Sequence, residues 1–407
     1  MSLERLVPFP LDRLDACIAI WTAEPPGQEK VRLFLPIAVL ASQPDKGSSI
    51  GRLPSGQVIV DGFQEDAFVQ AWVRAILGRA DTPRHLFAGS TVQGREGALI
   101  EDKTWTIRRS EVEQSNTSIR IGDAAILKAI RKLQSGVHPE VEMGRFLTEA
   151  APFEATPALL GWIELDGTTL SVLQAFTENE GDGFAWICER LRSASPADAA
   201  ATLAWIRRLA ERTAGLHRAL ASPTNDEAFR AERVTKEDII GWRTSVQALA
   251  DRVLSGLENL SSRVDAPTRR AARALLDRQG DLMLRIEHLL PSDVIADKTR
   301  HHGDYHLGQV LVQNEDAVIV DFEGEPLRQL AERRAKHSPL RDVAGMLRSL
   351  DYAASTALGR VGNASDLDRL RLENGQLKRP MSTWSSTFRP RKEAPDVLPI
   401  GRTPYGS

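Results

Sequence analysis

The chain has 407 residues, more than twice the common domain size, so a single small module is excluded and two or three packed units are expected. Hydrophobic residues make up 42% and charged residues 26%, and 55 acidic against 52 basic side chains leave a net charge of −3, which excludes wholesale disorder and nucleic-acid binding driven by net charge. Cys17 and Cys188 are too few for a disulfide framework or a tetrathiolate zinc site, and no run of about 18 apolar residues suits a membrane span, so a soluble cytoplasmic protein with neither nucleic-acid nor membrane partners is expected.

Residues 1–105 mix short β-like runs, at 31–35 and 56–60, with breaks rich in Gly, Pro, Ser and Asp; Pro36 and Asp61 end the two runs. A helix is predicted over 65–77 from the spacing of Phe68, Trp72, Ile76 and Leu77. Together these predict a small mixed α/β cap subdomain over 1–105, stabilising or docking in role. Over 106–178 the pattern becomes strand (118–121), turn (Gly122, Asp123), strand (125–130), a helix opened by Pro139, and a buried strand (171–176). That is one sheet with one helix packed on it. A linker-like stretch at 179–183 leads into a mainly helical region, with long amphipathic helices predicted over 199–220 and 266–290.

The segment from Arg300 to Val312, RHHGDYHLGQVLV, followed by AVIVDFEGEP from Ala317 to Pro326, carries the chemistry. Pairing of its two short apolar strands as an antiparallel hairpin would bring Asp304, Gln309 and Asp321 to one end. Phosphoryl transfer needs such a set: a carboxylate to take the proton of an attacking hydroxyl, and an amide oxygen with a second carboxylate to hold Mg²⁺ on nucleotide phosphates. Asp304 suits the first role, Gln309 and Asp321 the second. Lys128 can neutralise phosphate charge, with Glu142 on the next helix as its ion-pair partner and Glu140 and Glu149 as competing choices. The rival reading is a metal hydrolase, because His301, His302, Asp304 and His306 crowd together, yet His337 is the only histidine downstream.

Three stretches, HHGDYHLGQVL, IVDFEGEP and SPLRDVAGMLRSLDYAA, together with EQSNTSIRIGDAAILKAIRKLQSGVHPEVEMGRFLTE and SVLQAFTENEGDGF, resemble the maltokinase family over roughly residues 1–360. The resemblance implies a bilobal α/β (α+β) protein-kinase-like fold, akin to aminoglycoside phosphotransferases, with the extra N-terminal subdomain before an N-lobe over 106–178 and a helical C-lobe over 179–360. It implies ATP-dependent phosphorylation of maltose to maltose 1-phosphate for glucan synthesis, with ATP and Mg²⁺ as cofactors. Asp304 then matches the catalytic base, Gln309 and Asp321 the magnesium ligands, and Lys128 the phosphate lysine. Ser115, Asn116, Thr117 and Ser118 match the loop above the phosphates, and Gln174 and Phe176 the hinge beside adenine. Candidates for the acceptor side are His306, Glu323, Arg341, Asp342, Asp351 and Tyr352. Other readings are a different small-molecule kinase of the aminoglycoside phosphotransferase type, or a non-catalytic module docking on a trehalose synthase. After about residue 360 the resemblance stops, and five prolines from Pro380 to Pro404 predict an atypical, partly disordered tail over 361–407.

Overall fold

The structure is a computed structural model that describes residues 1–9, 11, 14–24, 30–43, 49–78, 86–96, 105–109, 116–193, 195–259, 264–289, 294–326 and 328–359. The expected tail at 361–407 lies outside these residues. The first strands are β1 (Ser2–Pro8), β2 (Asp15–Ala23), β3 (Val31–Leu40), β4 (Ser49–Arg52) and β5 (Val58–Asp61), in the antiparallel order β1-β2-β3-β5-β4. Pro36 does not end β3, contrary to expectation. It pairs with Ile18 of β2 on one edge and falls on the other edge between the residues that bond β10 (Lys132–Leu133) and those that bond β5. A residue without an N–H is tolerated where a strand changes partner.

Helix α1 (Asp66–Ile76) matches its predicted span and buries Phe68, Val69, Trp72 and Val73. The second sheet takes β6 (Leu86–Ser90), which precedes α2 (Val92–Glu96), then β7 (Ile107–Arg109), β8 (Asn116–Ile121), β9 (Ala125–Ile130), β11 (Leu159–Leu165) and β12 (Thr168–Ala175), in the order β6-β11-β12-β9-β8-β7. Helix α3 (Pro139–Arg145) has Pro139 in its first turn and His138 as its cap, whose ring accepts the Glu140 N–H. The expected border near residue 105 does not separate two cores. β6 joins the second sheet, β10 pairs with β3 of the first, and Ile18, Phe34 and Trp72 share one apolar cluster with Ile119, Leu127 and Leu173. Trp72 Nε1 donates to Ser171 Oγ at 2.8 Å inside that core.

Beyond the sheets run α4 (Gly183–Ser193) and α5 (Pro196–Leu220). Residues 223–299 form a compact unit of their own, so the region 179–360 is not one lobe throughout. That unit contains the two-stranded β13 (Glu232–Arg233) and β14 (Asp297–Lys298), with α6 (Lys236–Glu258) packing against α7 (Ala266–Leu276) and α8 (Gln279–Leu289). Thr235 and Asp238 form a capping box that starts α6. The single helix expected over 266–290 is broken into α7 and α8 around Asp277 and Arg278. The other unit resumes at Arg300 with β15 (Val310–Gln313), β16 (Asp316–Ile319), α9 (Leu330–Arg334) and α10 (Leu340–Gly359). Among the described residues no helix is long and apolar enough to cross a membrane.

Candidate active site

Strands β15 and β16 pair antiparallel as expected, from Val310 opposite Ile319 to Gln313 opposite Asp316. Asn314 and Glu315 make the two-residue turn, both with positive φ (46° and 64°), the conformation that matches strand twist in tight hairpins. At the open end the Val320 N–H donates to the Gln309 carbonyl at 3.0 Å, which brings Gln309 and Asp321 side by side. Together with Asn116, Ser118, Lys128, Gly308 and Glu323 they line a cleft of about 370 Å³.

Alternation along β9 sends Leu127 and Ala129 into the core and Lys128 to the opposite face, across from Ser118 of β8. Lys128 Nζ stands 2.9 Å from Asp321 Oδ1 and 3.1 Å from Glu140 Oε1. Its partner on α3 is therefore Glu140, not Glu142. The two glutamates are two positions apart, so on a helix they face nearly opposite ways. Glu142 instead takes a bidentate pair from Arg334, at 2.7 and 3.1 Å, and a contact from the buried Arg300. Glu149 is likewise engaged elsewhere, by Arg145 at 3.1 Å. Burial works against a charged lysine, but the Glu140 and Asp321 carboxylates outweigh it and hold the Lys128 ammonium above its ordinary range. Burial also opposes charge on Asp321, and Lys128 overcomes it, keeping that carboxyl below its usual value.

Several expected nucleotide contacts are redistributed. Asn116 and Ser118 face the cleft, and Asn116 Nδ2 donates to Glu323 Oε2 at 3.2 Å. Thr117, one residue out of phase, turns to the other face and accepts from Arg131 Nε at 2.8 Å. Ser115 lies outside the described residues. Gln174 is 8% exposed and donates to Glu140 Oε1 at 2.8 Å, so it braces the lysine's partner rather than lining the cleft. The Phe176 ring is covered by the Arg120 guanidinium at 3.8 Å, and the Phe176 N–H is spent on the Ala124 carbonyl.

Asp304 follows Gly303, whose φ of 88° turns the chain sharply and whose added Cβ would stand 3.5 Å from Gly324 Cα. The Asp304 loop thus rests on the loop that follows Asp321. Asp342 of α10, expected on the acceptor side, is buried beneath this turn: its carboxylate accepts the His302 N–H at 2.9 Å and the Gly303 N–H at 3.0 Å. His217 Nε2 stands 3.0 Å from the same carboxylate, and although burial opposes the charge, this bond and the neighbouring rings hold Asp342 below the usual carboxylate range. Nothing in the sequence pairs residue 217 or residue 302 with residue 342; only the fold does.

Among the described residues the histidines near Asp304 turn to different partners rather than to one point. His301 is buried against the His337 ring, His302 Nε2 donates to the Val320 carbonyl at 2.9 Å, and His306 Nδ1 accepts the Gly308 N–H at 3.1 Å. Of the other acceptor-side candidates, Arg341 reaches Glu325 at 3.6 Å, Tyr352 is 65% exposed and stacks on Phe184, and Asp351 is exposed; none of the three lines the cleft. Glu323 does.

The cleft's donors fit Mg²⁺. Gln309 and Asp321 supply hard oxygens, few enough that phosphates and water would complete an octahedral shell. Burial, then the charges of Asp321 and Glu140, push Glu323 up to about 7, the mark of a site with more carboxylate than the lysine neutralises.

The sequence profile of the phosphotransferase enzyme family (APH) matches residues 106–325, more than half the chain. A glucosamine kinase of Mycolicibacterium smegmatis is 29% identical over 269 residues, 64% of this chain and 63% of that protein. A glucosamine kinase of Streptacidiphilus jiangxiensis is 24% identical over 303 residues, 72% of this chain and 64% of that protein. The chain thus spans somewhat less than two thirds of these curated relatives. A solved glucosamine kinase in complex with glucosamine, ADP and inorganic phosphate shares the fold, with a TM-score of 0.66 over 95% of this chain and 82% of that one at 20% identity. With a matched profile spanning both the Lys128 sheet and the Asp304–Asp321 loops, the chain belongs to the phosphotransferase enzyme family.

Proposed function

We propose that the protein is an ATP-dependent sugar kinase, transferring the γ-phosphoryl group to a hydroxyl of a small sugar, with the amino sugar glucosamine as the leading acceptor. The observation that carries this reading is the Lys128 ammonium held between Glu140 and Asp321 in a cleft that also presents Gln309. Lys128 neutralises phosphate charge, and the Gln309 amide oxygen and Asp321 carboxylate hold Mg²⁺. Bound there, the ion supplies charge neutralisation and orientation of the phosphates. Asp304, on its glycine turn, accepts the proton of the attacking hydroxyl. The acceptor choice is supported by the glucosamine kinases among the relatives. Maltose is the second reading, supported by the likeness of HHGDYHLGQVL, IVDFEGEP and SPLRDVAGMLRSLDYAA to maltokinases.

The test is ATP consumption with Mg²⁺ against glucosamine, maltose, glucose and aminoglycosides, with phosphorus NMR of the product. Turnover of glucosamine above the others supports the leading reading, and a maltose preference replaces it with the second. ATP binding without turnover of any acceptor would favour a docking module, such as one that binds a trehalose synthase.

A further inference from the structure

Arg333 and Arg334 are neighbours on α9 yet serve different elements. Arg334 forks onto Glu142 of α3. Arg333 turns to the loop after Asp321: its Nη1 donates to the Glu323 carbonyl at 2.9 Å and its Nη2 to Gln134 Oε1 at 2.5 Å. Its aliphatic stem covers Gly324, where an added Cβ would meet the Arg333 Cβ at 3.3 Å. The loop needs such a brace. Asp321 and Gly324 both have left-handed φ, 71° and 72°, and the last hydrogen bond of the hairpin, from the Val320 N–H to the Gln309 carbonyl, comes just before them. Gln134 lies just past β10 and leads into His138 and α3, the helix that carries Glu140. A single guanidinium therefore ties the Asp321 loop to the segment that places the lysine's partner. Burial depresses the Arg333 pKa while the nearby Glu323 carboxylate works to raise it, so this cation is held at a cost in hydration. The planar fork reaches two acceptors in fixed directions, which a lysine ammonium on a flexible stem does not.

We infer that Arg333 is a positioning residue for the 321–324 loop. By fixing the Glu323 carbonyl toward Gln134 it sets the direction in which Asp321 is presented, and with it the Mg²⁺ dependence of nucleotide binding. This rests on the reading of Gln309 and Asp321 as magnesium holders.

Calorimetric titration of ATP into the full chain, once with Mg²⁺ and once with a chelator, tests it on wild type, Arg333→Met, Arg333→Lys and Gln134→Ala. The tightening that Mg²⁺ confers on ATP should shrink about tenfold in Arg333→Met, as for loss of a charge-assisted hydrogen bond, and less in Gln134→Ala. Affinity with the chelator should stay within about twofold, and Arg333→Lys should recover only part of the Mg²⁺ effect. A lowered melting temperature with a wild-type Mg²⁺ response would make Arg333 merely structural and overturn the inference. If Arg333→Met does not fold, the partly exposed Gln134 decides, and an unchanged Mg²⁺ response in Gln134→Ala overturns it. A wild type whose ATP affinity ignores Mg²⁺ sinks the kinase reading itself, whereas variants that match a responsive wild type sink only the positioning role.

Discussion

The charges around Lys128 and those around Asp304 are held to different degrees. Lys128, Glu140, Asp321 and Gln174 are linked by contacts of 2.8 to 3.1 Å, and Glu140 is only 2% exposed. Asp304 keeps 34% of its side chain open, its pair with His306 spans 3.9 Å, and Arg341 reaches Glu325 at 3.6 Å. What is firm near Asp304 is the backbone, clamped by Asp342 from below. One region is thus fixed through its side chains, the preorganisation that the proposed phosphate-binding role asks of it. The other fixes the backbone at Asp304 and leaves its carboxylate partly open, which under the proposed reading is where the hydroxyl of an acceptor would meet the base.

The sharpest way to break this comparison is Asp304→Asn. Turnover should fall roughly 10²- to 10⁴-fold while ATP affinity stays near wild type, because the amide cannot take the hydroxyl proton. Steady-state rates beside ATP calorimetry check it, and near-wild-type turnover would remove Asp304 from its role. A smaller effect separates the two faces of α3. Glu140→Gln should weaken Mg²⁺-dependent ATP binding about tenfold by loosening Lys128. Glu142→Gln should leave that affinity within about twofold yet cost about 3 kcal/mol of stability, because it breaks the buried Arg300–Glu142 ion pair. Equal losses of ATP affinity in both variants would erase the distinction.

The smallest expected effect is set by pH. Burial, helped by Arg333 and Lys128, lowers His138 from 6.5 to about 3, and burial lowers His301 to about 3 as well. Between these values the unfolded chain binds protons that the folded chain refuses, so stability falls as pH drops below 6.5. The loss is roughly 1.4 kcal/mol per pH unit for each ring. His138→Asn keeps a helix cap and should flatten that slope by one ring's share in denaturant melts from pH 7 to 5. An unchanged slope would mean that His138 is charged in the native state.

Local patterns carried the sequence reading furthest where a signal and its partner lie in one short segment. β9, the Pro139 helix start and the β15–β16 hairpin that joins Gln309 to Asp321 fall into this group. Alternation along β8 also holds enough information to separate Asn116 and Ser118 from Thr117. Glu140 shares a helix face with the buried Met143, Gly144 and Leu147, so the 3.6-residue period favours it over Glu142 as the lysine's partner. Other features rest on contacts with no local trace. Asp342 beneath the Gly303 turn, Gln174 behind Glu140 and Pro36 inside β3 all depend on which distant segment the fold brings alongside. The shared core of the two sheets belongs to the same class, since β6 must cross to β11 some seventy residues on.

That shared core also bears on the order of synthesis. Leaving the ribosome, the first sheet and α1 present Ile18, Phe34 and Trp72 long before Leu170, Val172 and Leu173 exist to cover the same cluster. With domains generally folding as units, the N-terminal segment must wait for β12 before its apolar face closes, and Trp72 waits with it for Ser171. During that interval β1 and β4, the edges of the first sheet, are the strands most open to pairing with another nascent chain. The first sheet therefore bears on how the growing chain folds and on its exposure to pairing with another chain, independently of any part it plays once folded.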